Sequence, residues 1–172
     1  MTDREAKERQ LNEALSVYYH KVRSLFAFRR WRDSELDDLT QEVFFRLWLA
    51  IDEGKDIQDV QSFIGGIAFN VSREQVRKKI RGREIEAATS LTPTDGHEDR
   101  TSEESEQHRL IRRLIVKLDE EDQEIILATF YWGLNSSQLG EMLNIPRQTA
   151  LSRLQRAMRR IQAMPESRGL RS

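Results

Sequence analysis

The sequence has no cysteine, only three prolines and eight glycines, and no apolar run long enough to cross a bilayer. Without cysteine there are no disulfides and no thiolate metal sites, which suits a reducing cytoplasm. So few helix breakers over 172 residues leave long stretches free to be helical. The amino terminus, MTDREAKERQ, is too charged for a secretory signal, so neither export nor membrane insertion is expected. Phosphate-loop (GxxxxGKS/T), HExxH and GxSxG motifs are all missing, and no histidine is placed to activate a nucleophile. An enzyme is therefore a remote reading, and no cofactor or small-molecule substrate is implied. His97-Glu98-Asp99 is the one cluster with metal-ligand character, and in its polar surroundings it reads as solvated charge rather than a metal site.

An excess of either charge is missing too: the formal net charge is −1. That balance hides a strong segregation. Between Ser72 and Arg83, six cations (Arg73, Arg77, Lys78, Lys79, Arg81 and Arg83) oppose only Glu74, and from Ile145 onward seven arginines oppose only Glu166. Glu84 to His108 carries Glu84, Glu86, Asp95, Glu98, Asp99, Glu103, Glu104 and Glu106 against the single Arg100. Two basic modules flank an acidic connector, and a phosphate backbone meets the local patches rather than the total.

Along the chain, the first ten residues read as a charged run that frays. Leu11, Leu15, Tyr18, Val22, Leu25 and Phe26 then keep a helical stripe, closed by Phe28-Arg29-Arg30-Trp31. Ser34 is the expected cap of a second helix with acids in its first turn. Its inward face is Leu36, Leu39, Val43, Leu47 and Ile51; Asp38, Gln41, Glu42, Phe45, Trp48 and Leu49 lie towards the other side. Acids interleaved with aromatics suit docking on a partner with basic residues and apolar pockets, although Phe45 and Trp48 could equally be core. A third helix is expected from Val60 to Arg81, with Phe63, Ile64, Ile67, Ala68, Val71 and Ile80 inward and Gly66, Asn70, Arg73, Arg77 and Arg81 on the opposite face. Thr89 to Ser105 is polar and without apolar period, a linker. Leu110 to Leu118 restarts the periodicity, Asp119 caps a further helix with Ile125, Ile126, Leu127, Phe130 and Trp132 as bulk, and Gly133 stops it.

Asn135 to Arg160 then reads as a short helix, a tight turn and a longer basic helix. Asn135 and Gln138 form a capping box, Leu139, Met142 and Leu143 share a face, and Gly140 leaves room for a close crossing. Asn144 tolerates the left-handed turn, and Pro146 suits the first position of the next helix. Ala150, Leu154, Ala157, Met158 and Ile161 form the inward stripe, opposite Thr149, Arg153, Arg156 and Arg160. This is the pattern of a helix-turn-helix that enters a DNA major groove; a plain helical hairpin with solvated arginines is the weaker alternative. Met164 to Ser172 reads as a loose tail.

The segment Glu35 to Phe44 is similar to the acidic DLxQEVF signature of bacterial sigma factors of the extracytoplasmic-function group. Ser62 to Asn70, followed by Arg77-Lys78-Lys79, resembles that family's promoter-melting segment, and Thr149, Ser152, Arg153 and Arg156 match its TVxSRLxRA pattern. Phe69 stands where the family usually has arginine, and Glu74 where it usually has aspartate. The resemblance implies an all-α protein of two small helical domains joined by a flexible acidic linker. Residues 1–82 would form region two, 83–107 the linker, 108–164 the helix-turn-helix of region four, and 165–172 a tail. By the match, Asp38, Gln41 and Glu42 would contact core RNA polymerase, and Phe45 and Trp48, read above on the same face, are expected to join them. The matched segments would place Phe63, Asn70, Arg77 and Lys78 at the minus-ten promoter element and Thr149, Ser152, Arg153 and Arg156 at the minus-35 element. Arg73 and Arg81 on the basic face of the third helix are expected to join the first set, and Arg147 and Gln148 at the start of the last helix the second. An anti-sigma factor is a further partner the family allows.

Opening a promoter costs a few kcal/mol per unstacked step. With no nucleotide-hydrolysing loop, that cost has to be met by capturing exposed bases beside a basic groove. Two modules held on one polymerase also gain effective concentration. A stand-alone helix-turn-helix regulator is the alternative function. Such proteins usually dimerise, and here a whole second module occupies the remaining length.

Overall fold

The computed structural model describes residues 1–29, 31–86 and 105–171, which fall into two compact units on either side of residues 87–104. Among the described residues there is no strand, and no helix is long and apolar enough to cross a membrane. The expected linker, Thr89 to Ser105, lies outside the described residues in all but its last position, and so does the His97-Glu98-Asp99 cluster.

The first unit is three helices, α1 (Asp3–Phe28), α2 (Asp33–Asp52) and α3 (Val60–Glu86). The expected fraying at the start is wrong, because α1 begins at Asp3 with a complete capping box. Glu5 N–H donates to Thr2 Oγ1 (3.2 Å) and Thr2 N–H donates to Glu5 Oε2 (2.7 Å). Ion pairs Arg4–Glu8 and Lys7–Asp3 run along its surface, and Lys7 Nζ donates to the Asp52 carbonyl at 3.0 Å, tying the first turns to the end of α2. The cap of α2 also differs from expectation. Arg32, not Ser34, is the N-cap, since the Glu35 carboxylate reaches back to the Arg32 N–H at 3.0 Å.

All five expected inward residues of α2 are buried, and Val22, Leu25, Phe26, Ile64, Ala68, Phe69 and Val71 are among those that join them in the core. Each fully buried large side chain contributes about 1.5–3 kcal/mol by removal from water. Ile80 does not join them: it is 50% exposed, because it lies beyond the stretch of α3 that the other helices cover. Phe69, which stands where the family usually has arginine, is fully buried.

The second unit holds α4 (Glu106–Val116), α5 (Glu120–Ile126), a π turn (Leu127–Tyr131), α6 (Ser136–Leu143), α7 (Arg147–Ala163) and a 3₁₀ segment (Pro165–Arg171). Asp119 Oδ1 accepts from the Asp122 N–H at 2.9 Å, the expected cap of α5. Gln123 Nε2 donates to the carbonyls of Val116 and Leu118, which α4 leaves without helical partners at its end. α5 widens into the π turn, where Trp132 N–H reaches the Leu127 carbonyl at 2.9 Å, and Gly133 ends it at φ 80°. Widening turns Trp132 fully inward and leaves Phe130, expected as core, 63% exposed. The tail is not loose: Ser167 is buried and donates to the carbonyls of Gln162 and Met164, Glu166 pairs with Lys117, and Gly169 lies against Leu110 of α4.

Candidate polymerase-docking and nucleic-acid interfaces

On α2, the side away from the core presents Asp38 and Gln41 to solvent, Phe45 at 55% exposure and Leu49 at 43%. Phe45 is therefore not a core residue, and Trp48 is half-buried. Phe45 and Trp48 line one wall of a groove of about 380 Å³ whose other wall is Leu11, Leu15 and Tyr19 of α1. Glu42 is half-buried and held, because Arg46 Nε donates to its Oε1 at 2.8 Å, while the other two guanidinium nitrogens of Arg46 grip Glu74 on α3 at 3.0 and 2.6 Å. The Arg46 guanidinium holds the Glu74 carboxyl below the usual carboxylate range, opposed by partial burial and helped by Lys78 and Arg77.

The basic face of α3 is exposed at Asn70, Arg77, Lys78 and Arg81. Arg73 is half-buried, and its Nη2 donates to the Oδ1 of the exposed Asn70 at 2.8 Å. Phe63 is half-buried, with Lys55 Nζ 4.9 Å from its ring centroid. Lys79, next to Lys78 in sequence, is withdrawn from this face: its ammonium stands 3.9 Å from the Trp31 ring centroid and 3.3 Å from Glu35 Oε2. It pins α3 to the start of α2 rather than joining its neighbours on the basic face.

In the second unit the helix-turn-helix forms as the residues dictate. The Asn135–Gln138 capping box closes in both directions at 2.9 Å. Asn144 takes φ 53°, ψ 46°, the left-handed conformation a turn between crossed helices needs. Gly140 is the close approach: a Cβ there would stand 2.9 Å from the Ile145 carbonyl oxygen and 3.2 Å from the Arg147 nitrogen. Pro146 is the N-cap of α7 rather than its first residue, and its carbonyl accepts from the Ala150 N–H. Gln148, Thr149, Ser152 and Arg156 are exposed on α7, and Arg153 is half-buried. Ser152 Oγ donates to the Gln148 carbonyl, and Arg147 Nε donates to Ser136 Oγ at 2.7 Å, so Arg147 is held back across the first helix.

Residues 15–82 match the family Sigma-70 region 2, and residues 114–163 match Sigma-70, region 4, so the two matches cover most of the chain. The chain is an extracytoplasmic-function sigma factor. It is similar to the RNA polymerase sigma factor NccH of Alcaligenes xylosoxydans xylosoxydans, 26% identical over 78% of this chain and 75% of that protein. The ECF RNA polymerase sigma factor SigW of Bacillus subtilis is 25% identical over 84% and 82%. Two solved structures share the fold. The sigma factor RpoE in complex with the anti-sigma factor NepR from Bartonella quintana superposes with TM-score 0.71 at 17% identity, over 90% of this chain and 95% of that one. CnrH in complex with the cytosolic domain of CnrY gives 0.63 at 16%, over 94% and 92%. As an alternative sigma factor this protein directs promoter recognition in transcription initiation, within a family of non-catalytic initiation factors.

Two expectations for the sigma factor's basic faces need correction. Arg160, read as part of the outward arginine stripe, turns back to pair with Asp119 and with Asp122, a buried carboxylate of α5, which together hold its guanidinium above the ordinary arginine range. Met158, read as inward, is 37% exposed. Sequence reasoning missed Arg46 altogether. Its four-residue spacing from Glu42 was visible, but nothing in the sequence places Glu74 at its other end.

Proposed function

We propose that residues 1–82 carry both the polymerase contact, through Asp38, Gln41, Glu42, Phe45 and Trp48, and the minus-ten contact, through Phe63, Asn70, Arg73, Arg77, Lys78 and Arg81. Residues 108–164 carry the minus-35 contact through Arg147, Gln148, Thr149, Ser152, Arg153 and Arg156, with 83–107 as connector and 165–172 as a closing tail. The observation that carries the docking assignment is Phe45, more than half exposed beside Asp38 and Gln41 over an apolar groove. For the promoter contacts it is the exposed cations of α3 and α7. The protein works without catalysing a reaction, alongside polymerase in the cytoplasm. Its likeness to RpoE, solved with the anti-sigma factor NepR, supports an anti-sigma factor as a further partner.

The test is reconstituted transcription with core RNA polymerase. The free chain binds promoter DNA poorly and the holoenzyme binds it well, because neither basic face alone supplies the affinity both gain on one scaffold. Asp38→Ala weakens assembly with polymerase by about tenfold, and Arg153→Ala weakens use of the upstream element by a similar factor, the loss of one good contact each. A palindromic footprint by the chain without polymerase favours a stand-alone regulator instead.

Salt dependence separates contacting arginines from structural ones. Arg156→Ala lowers the slope of log affinity against log salt by about one, as the loss of one phosphate contact does. Arg160→Ala leaves that slope unchanged and lowers the melting temperature, since Asp122 is then buried without its cation. Equal slopes for the two variants would contradict the assignment of α7.

A further inference from the structure

Arg46 holds acids of two different helices at once. Its Nε donates to Glu42 on its own helix at 2.8 Å, and its fork grips both oxygens of Glu74 on α3 at 3.0 and 2.6 Å. Such a bidentate grip is about twice as strong as a neutral hydrogen bond and fixes the planes of both groups. The three side chains are 33%, 41% and 41% exposed, so the cluster is reachable from solvent yet partly shielded from it. Its two ends differ in setting. Glu42 lies on the docking side of α2, whereas Glu74 sits in sequence directly after Arg73 and one helical turn before Arg77 and Lys78, both of which act on its charge. Two carboxylates share one guanidinium, so the cluster keeps a surplus negative charge next to a face built of cations.

We propose that Arg46 couples polymerase docking to DNA binding by α3, with Glu42 and Glu74 as the two ends of the link. The proposal rests on the reading that Glu42 meets a basic group of the polymerase. In the free chain Arg46 is divided between two acids, and the residual charge of Glu74 opposes phosphate at Arg73, Arg77 and Lys78. A partner cation that takes the Glu42 oxygen neutralises the cluster and leaves the guanidinium wholly to Glu74. The α3 face then attracts phosphate more strongly. On α3, Glu74 lies within one helical turn (about 5.4 Å) of Arg73, Arg77 and Lys78, inside the Debye length of about 8 Å at physiological salt. Linkage requires the reverse as well, so DNA on α3 tightens the hold of the polymerase on Glu42. In this role Arg46 is a positioning residue, acting through Glu42 and Glu74 and touching neither polymerase nor DNA.

The test uses the full-length protein and a labelled oligo-dT strand, with binding followed by fluorescence anisotropy at low salt. Glu42→Gln releases Arg46 much as a partner cation does, and it tightens oligonucleotide binding by about fivefold, the low end of couplings between sites. Glu53→Gln makes the same charge change just past the end of α2, away from Arg46, and tightens binding by less than about twofold. In a Glu74→Gln background, or with Arg46→Met, the added effect of Glu42→Gln falls to the Glu53→Gln level. Glu74→Gln keeps a hydrogen-bonding amide, so that arm stands if Arg46→Met unfolds by circular dichroism. Equal effects of Glu42→Gln and Glu53→Gln, or a Glu42→Gln effect that survives Glu74→Gln, overturn the coupling. Core-polymerase affinity of Glu42→Gln is measured separately: no change there sinks the contact reading of Glu42, while the oligonucleotide cycle still judges the link between the helices.

Discussion

Gly140→Val abolishes use of the upstream promoter element while leaving association with polymerase intact. Gly140 is buried in α6, and the turn of the helix-turn-helix crosses directly over it. A Cβ at this position would lie 2.9 Å from the Ile145 carbonyl and 3.2–3.3 Å from the Arg147 nitrogen and Cα. These neighbours are backbone, which cannot step aside as a flexible side chain does. The same turn is closed by the Ile145 N–H donating to the Gly140 carbonyl at 2.9 Å, so moving Ile145 also breaks that bond. Two effects compete. A glycine inside a helix costs about 1 kcal/mol relative to alanine, which favours substitution. Overpacking against backbone costs about 1–3 kcal/mol and grows with each added methyl. At 2.9 Å the steric cost wins, and valine adds branches where even the first carbon does not fit. The start of α7 shifts, and with it Arg147, Gln148 and Thr149. We expect thermal unfolding of the carboxy-terminal unit to fall by about 8 °C or more, at roughly 4–8 °C per kcal/mol for a unit of this size. Transcription from a promoter dependent on the upstream element falls at least about tenfold, as base contacts worth about 1–3 kcal/mol each are misplaced. A Gly140→Ala protein that is more stable and fully active would refute the account of this crossing.

Phe69→Arg, which would restore the residue the family usually carries at this place, unfolds the amino-terminal unit. By pattern alone the change looks like a return to type on a DNA-facing helix. The structure says otherwise, because Phe69 is fully buried with Ile64, Ala68 and Val71, one residue before the exposed Asn70. Arginine there loses the packing of a buried aromatic ring, about 3–5 kcal/mol on truncation evidence. It also places a guanidinium among apolar groups, a further penalty of several kcal/mol unless the charge reaches water or an acid. Whole domains are stable by only about 5–15 kcal/mol. Chemical denaturation followed by circular dichroism is expected to show loss of the amino-terminal transition, and pull-down with core polymerase to show loss of binding. Phe69→Leu, which keeps most of the apolar volume, retains both. Wild-type stability for Phe69→Arg would mean that the side chain faces solvent.

The difference between what was legible and what was not follows from the range of the forces involved. Local rules named the Asn135–Gln138 box, the left-handed Asn144, the Asp119 cap, the stop at Gly133 and the inward face of α2, since each depends on residues within one or two turns. The Thr2–Glu5 and Arg32–Glu35 caps are equally local, but dense charge at the start resembles a fraying end, and Ser34 is a stronger cap than Arg32 by residue type. Helical periodicity assigned faces correctly where neighbouring helices cover the whole stripe. It failed at Ile80, Phe130 and Met158, where the cover ends or the helix widens.

By itself, then, the amino-acid sequence determined the helical class, the two-module order, the helix-turn-helix and the identity of the basic faces, because capping, periodicity and charge are properties of neighbours along the chain. The tertiary structure alone decided which of those charges remain available. It turned Arg160 to Asp122, Lys79 to Trp31 and Glu35, and Arg46 to Glu74, pairs separated by 28 to 48 residues in sequence. Electrostatic partners are chosen by distance in space, and only packing brings such residues within reach of one another.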